Sequence, residues 1–127
     1  MNLRTITDFL GQENCLDTNG NVRSITVTEL GFSSYSGEKL QAAAAAYCYY
    51  IIDANPYIEA FIMNRQTDAF EEVRNNLAFG IYEMDQSAKF LYEIYKNLDD
   101  EHENDDIQFM LNILGANSLE EALSWAQ

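Results

Sequence analysis

Long apolar runs, cysteine, proline and positive charge are all scarce in this chain of 127 residues. The longest apolar run, Ala42–Ile52 (AAAAAYCYYII), is too short for a bilayer span of about 20 residues. No membrane partner is expected. The opening MNLRTITDFLGQEN is amphipathic and polar rather than a secretory signal. Either the protein is cytosolic, or it is secreted with a signal outside this chain, so localisation stays open. Seven basic residues stand against 21 acidic ones, a net charge of −14. Such a surface repels phosphate, which excludes DNA, RNA and anionic membranes as partners.

The two cysteines lie in unlike contexts. Cys48 sits in a tyrosine-rich apolar run and reads as a buried small hydrophobe, Cys15 as a loop thiol. Nothing in their spacing demands a disulfide. The one histidine, His102, is far from both, so no metal site of the finger type is expected. The acidic run Asp99–Asp106 (DDEHENDD) fails the EF-hand pattern, which needs a glycine sixth and a glutamate twelfth. Counted from Asp99 those positions are Asn104 and Met110; from Asp100 they are Asp105 and Leu111. The run reads as a solvated turn between helices. Gly20, Gly31 and Gly37 are isolated, so no phosphate-cradling loop is present. No metal and no cofactor are expected.

What is present is an alternation of strand and helix patterns within one domain, residues 1–127. Leu3, Ile6, Phe9 and Leu10 share one helical face and predict a helix over about 3–14. Asp17–Asn21 is turn chemistry. Residues 24–30 (SITVTEL) are rich in β-branched side chains and predict a strand. Ser36 is the expected N-cap of a helix running to Asn55, where Pro56 stops it. That helix is apolar nearly all round, so it is expected to be buried on more than one side, its alanines allowing close approach to a sheet. Residues 57–63 (YIEAFIM) predict a second strand, and 69–86 a long connection with a short helix. Helices are expected over 87–98, over 107–114 ending at Gly115, and from a Ser118–Glu121 capping box to Gln127.

Strand–helix–strand order predicts an α/β fold with two parallel strands, about 24–30 and 57–63. Two strands are too few for a free-standing parallel sheet. The chain therefore reads as part of something larger, and its open strand edges invite self-association.

The chemistry-bearing feature is Glu29, a carboxylate at the C-terminal end of the first strand. In a (β/α)₈ barrel that end is where active sites are built. Strand alternation gives Glu29 the face of Ile25 and Val27. The pattern alone also fits a glutamate that merely ends an edge strand in water.

Three segments, ITVTELGFSS, EKLQAAAAAYCYYIIDANPYIEAFIMNRQTDAFEE and NNLAFGIYE with KFLYEIYKNLDD, resemble the C-terminal half of an uncharacterised bacterial family of glycosidase-like barrels. That family is similar to the clan-A glycoside hydrolases. The most telling parts are Glu29–Ser33 and Phe61–Asp68. The resemblance implies a partial (β/α)₈ barrel with residues 24–30 and 57–63 as its seventh and eighth strands. It implies Glu29 as the nucleophile, and Arg65, Gln66, Asp68 and Tyr35 as substrate-binding residues at the barrel mouth. It implies a carbohydrate substrate for the intact protein and places the general acid after a fourth strand, outside this chain, which alone is expected to be inactive. Tyr35, Phe32 and Trp125 are candidate sugar-stacking aromatics, Trp125 reading better as helix packing. The competing expectation is an acidic, mainly helical module that steers a basic protein partner.

Overall fold

The computed structural model describes residues 3–98 and 100–126. Asp99, in the acidic run, and Gln127, the expected end of the last helix, lie outside them. Along the chain run α1 (Leu3–Leu10), β1 (Ile25–Leu30), α2 (Glu38–Asp53), β2 (Ile58–Met63), α3 (Phe70–Val73), α4 (Phe90–Asn97), α5 (Glu103–Leu114) and α6 (Leu119–Ser124). Short 3₁₀ turns occupy Glu13–Cys15 and Ser34–Ser36. β1 and β2 pair in parallel as a two-stranded sheet, joined through α2, as the strand–helix–strand order predicts.

The register is not uniform. Ile25 pairs with Ile58 and Thr26 with Ala60, so Glu59 is an extra residue in β2. Val27 pairs with Phe61 and Leu30 with Met63, so Thr28 and Glu29 together oppose Ile62. A bulge of this kind breaks the two-residue alternation of side chains. It corrects the expected face of Glu29. Leu30, not Glu29, joins Ile25 and Val27 in the apolar cluster between sheet and helix, with Cys48, Ile52, Ile58 and Leu3. Thr28, Glu29 and Ile62 are exposed on the sheet's uncovered side.

Helix α2 is the hub. Its Cys48 and Ile52 pack on the sheet. Ala42, Ala45, Ala46 and Tyr50 pack on Leu91 and Ile94 of α4, Met110 and Leu111 of α5, and Ala122 of α6. The expectation of burial on more than one side holds. The alanines, however, admit the helices rather than the sheet, because they fall on the face of α2 turned away from the strands. Tyr47 Oη donates to the Ala122 carbonyl at 2.7 Å, fastening α6 to the hub. Cys15 and Cys48 are both free, and burial pushes the Cys48 thiol up to about 11. It therefore stays protonated and inert at neutral pH.

Several element ends and caps differ from the sequence reading. Helix α1 stops at Leu10 rather than near residue 14, with a separate 3₁₀ turn at Glu13–Cys15. The residue before α2 is Gly37, not Ser36; its φ of 125° and ψ of 137° suit only glycine. Helix α4 starts at Phe90 rather than Ser87, because Lys89 stays extended and its N–H donates to the Ile81 carbonyl at 3.0 Å. Helix α5 starts inside the acidic run, with Glu103, Asp105 and Asp106 in its first turn. There the exposed N–H groups favour negative charge. Asp106 is buried, which raises its carboxyl above the usual range. Finally, Ser118 Oγ accepts from the Glu121 N–H at 3.1 Å as expected, but the Glu121 carboxylate reaches the N–H of Asn117 at 2.8 Å rather than that of Ser118. Ser118→Ala is expected to lower stability by about 1 kcal/mol in urea unfolding. An unchanged midpoint would show that α6 is held by packing alone.

Candidate functional site

The parallel pair brings the C-terminal ends of β1 and β2 together, where Asn64 N–H donates to the Leu30 carbonyl at 2.6 Å. Two connections leave this end, residues 31–37 and 64–89. They are stitched to each other. Ser34 N–H donates to the Ala78 carbonyl at 2.9 Å, and Ser33 Oγ donates to the Asn76 carbonyl at 2.7 Å. The Gln41 side-chain amide, from α2, donates to the carbonyls of Phe32, Ala78 and Gly80.

The five expected site residues all lie at or just beyond this end, in different states. Glu29 is exposed, and no hydrogen bond or ion pair joins it to Arg65, Gln66 or Asp68 among the described residues. Tyr35 is 69% exposed at the tip of its turn. Gln66 is exposed, while its carbonyl accepts from the N–H groups of Ile81 and Tyr82. Arg65 has a left-handed φ of 71° and pairs through Nε with Glu72 Oε2 at 2.6 Å. Asp68 differs most from expectation. It is 7% exposed, with Oδ2 on Lys89 Nζ at 2.6 Å and Oδ1 accepting from Gly80 N–H at 2.6 Å. A carboxylate so enclosed holds the loop together and cannot meet a substrate. Phe32 is likewise packed against the core rather than free to stack on a sugar. Trp125 is half exposed just past α6.

Sequence reasoning missed Lys89 and Glu83. The Lys89 side chain is fully enclosed, and Nζ also donates to Ser34 Oγ at 3.0 Å and the Ala78 carbonyl at 3.4 Å. One cation thus ties the connection after β1 to the connection after β2. Glu83 is half-buried in the same connection. Burial raises its carboxyl above the usual glutamate range; Lys89 opposes that, while Asp68 and Glu38 add to it. No pairing of residues 68, 83 and 89 follows from helical or strand spacing. The readable signal was Gly80 between Phe79 and Ile81, an isolated glycine in an extended stretch, which marks close backbone approach.

No group of three metal-binding side chains occurs among the described residues, and no helix there is long and apolar enough to cross a membrane. Voids among the described residues lie elsewhere. One of about 130 Å³ is an apolar groove along α2, lined by Leu40, Ala44, Tyr47 and Ile51 with Phe32 and Leu114. Another, of about 350 Å³, lies beside β2, lined by Glu59, Ala60 and Phe61 with Tyr49 and Asp53 of α2.

Fold and site define a mixed α/β unit whose polar strand-end surface carries the exposed Glu29 carboxylate, with the buried Asp68–Lys89 pair beneath it. The chain belongs to a family of unknown function, DUF5722, whose model matches residues 1–122. No curated protein and no solved structure matches the chain.

Proposed function

We propose that this unit is the seventh-to-eighth-strand section of a glycosidase-like (β/α)₈ barrel, with Glu29 as the nucleophile of the intact protein and a carbohydrate as its substrate. The observation that carries the reading is the bulge at Thr28–Glu29. It puts Glu29 on the sheet face opposite α2, at the C-terminal strand end. In a (β/α)₈ barrel the helices cover the outside, so the face opposite them lines the interior and the C-terminal ends form the mouth. Each strand has one unpaired edge where a further strand can pair, and exposed Ile62 is an interior-type side chain lacking cover. Arg65, Gln66 and Tyr35 stand at the same end as candidates to hold the sugar. In this role Glu29 attacks the anomeric carbon while an acid from another part of the barrel protonates the departing oxygen.

The test is covalent trapping. A protein carrying this segment together with the rest of the barrel is incubated with activated 2-fluoro glycosides, and the labelled peptide is sequenced by mass spectrometry. The sugar is expected on Glu29, and Glu29→Gln is expected to lose at least about 10³-fold in kcat, as for a missing nucleophile. Residues 1–127 alone are expected to show no turnover and to self-associate in light scattering. Label on another carboxylate, or full activity in Glu29→Gln, would sink the assignment.

A further inference from the structure

The void of about 350 Å³ beside β2 has walls that favour positive charge and hold none. Its lining joins strand residues 58–61 to Tyr49, Ile52 and Asp53 of α2. Ile52 and Ile58 are buried and supply an apolar wall. The rings of Tyr49 and Phe61 meet edge to face with centres 6.3 Å apart. Aromatic faces attract a cation. Asp53 and Glu59 are exposed, and no basic residue lines the void. Among the described residues no ion pair joins either carboxylate to a lysine, arginine or histidine. Both acids also stand where the backbone singles them out. Asp53 ends α2, a helix of 16 residues with no basic residue in its last turn. A helix C-terminus carries partial negative charge of its own, so a carboxylate there is unfavourable until a cation offsets it. Glu59 is the extra residue of β2, and a bulge of that kind re-aims a side chain.

We propose that this void is a binding site for an alkylammonium group, a positive nitrogen on a short apolar stem. The stem lies against Ile52 and Ile58. The nitrogen donates its N–H groups to Asp53 and Glu59, with the rings of Tyr49 and Phe61 beside it. A neutral alcohol fills the same space without meeting the charge, and an anion is repelled. A free amine and a lysine side chain share this chemistry. The site stands at the N-terminal half of β2, while Glu29 stands at the C-terminal end of the paired strand. It therefore holds whether or not Glu29 is a nucleophile, and its readouts need no sugar.

Ligand-detected NMR on the full chain tests it, since that readout works for self-associated protein as well. The probes are n-butylammonium, N-acetyl-lysine methylamide and, as the neutral control, n-butanol. Both cations are expected to bind saturably, and n-butanol is not. Saturating the aromatic protons of the protein is expected to pass to the methylenes beside the ammonium. Asp53→Asn combined with Glu59→Gln is expected to weaken binding at least about tenfold, the scale of the charged hydrogen bonds lost. Glu13→Gln combined with Glu120→Gln removes the same charge from exposed positions elsewhere and is expected to leave the affinity unchanged. Tighter binding of the capped lysine would assign the site to a polypeptide side chain, tighter binding of n-butylammonium to a free amine. Absence of saturable binding by either cation, an equal response to n-butanol, no transfer from aromatic protons, or equal weakening in the two double variants would each overturn the site.

Discussion

Gly80→Ala is expected to lower stability by about 3–5 kcal/mol, the largest effect of any one-carbon change in the chain. A Cβ built at Gly80 falls on the backbone nitrogen of Asp68 and the carbonyl oxygen of Tyr82, and 2.8 Å from Asp68 Oδ1. Two of the three obstacles are backbone atoms, which no rotamer change can move aside. Relief requires parting residues 66–68 from 80–82. That breaks the Asp68 N–H bond to Tyr82 and the charge-assisted bond from Gly80 N–H to Asp68. The measurement is urea unfolding followed by circular dichroism. A loss below about 1 kcal/mol, the scale of an ordinary surface change, would show that the connection is slack.

Lys89→Met is expected to cost about 3–5 kcal/mol, because it leaves the Asp68 carboxylate enclosed with no counter-charge. The pair itself is a weak source of net stability, since both ions lose their water; what is large is the penalty for breaking one side of it. Lys89→Met combined with Asp68→Asn is therefore expected to be more stable than Lys89→Met alone. Asparagine keeps an oxygen for Gly80 N–H and removes the stranded charge. Additive losses in the double variant would show that the two side chains act separately. By contrast, the Lys96–Glu93 and Arg74–Glu71 pairs are solvent-exposed, and their removal is expected to be nearly silent.

The elements that were legible in sequence are those that local chemistry decides. Both strands fall within a residue of their expected limits, because Ile25–Val27 and Phe61–Ile62 are β-formers flanked by polar turns. Gly115, with φ of 74°, ends α5 where expected. The bulge was not legible. Nothing in ITVTELG distinguishes a regular strand from one with an extra residue, since the extra residue is defined by its partner strand. Lys89 was hidden for a related reason. It reads as a flank of the amphipathic α4, and only the folding of 64–89 back on itself encloses it. Asp68 looked like a polar residue at a loop mouth, and the same folding turned it inward. Among candidate site residues, position along the chain was readable, while orientation and enclosure were not.

Ala42, Ala43 and Ala46 are wholly enclosed in a helix with layers on two sides. At these positions size, rather than oiliness, decides what evolution can accept. Glycine and serine are expected among relatives more readily than valine or leucine, although the latter are the more hydrophobic. Where a relative does carry a larger residue at position 42 or 46, a smaller one is expected opposite, at position 91, 110 or 111. Paired changes of that sort would trace the contact between helix layers across divergent sequences, with no coordinates needed.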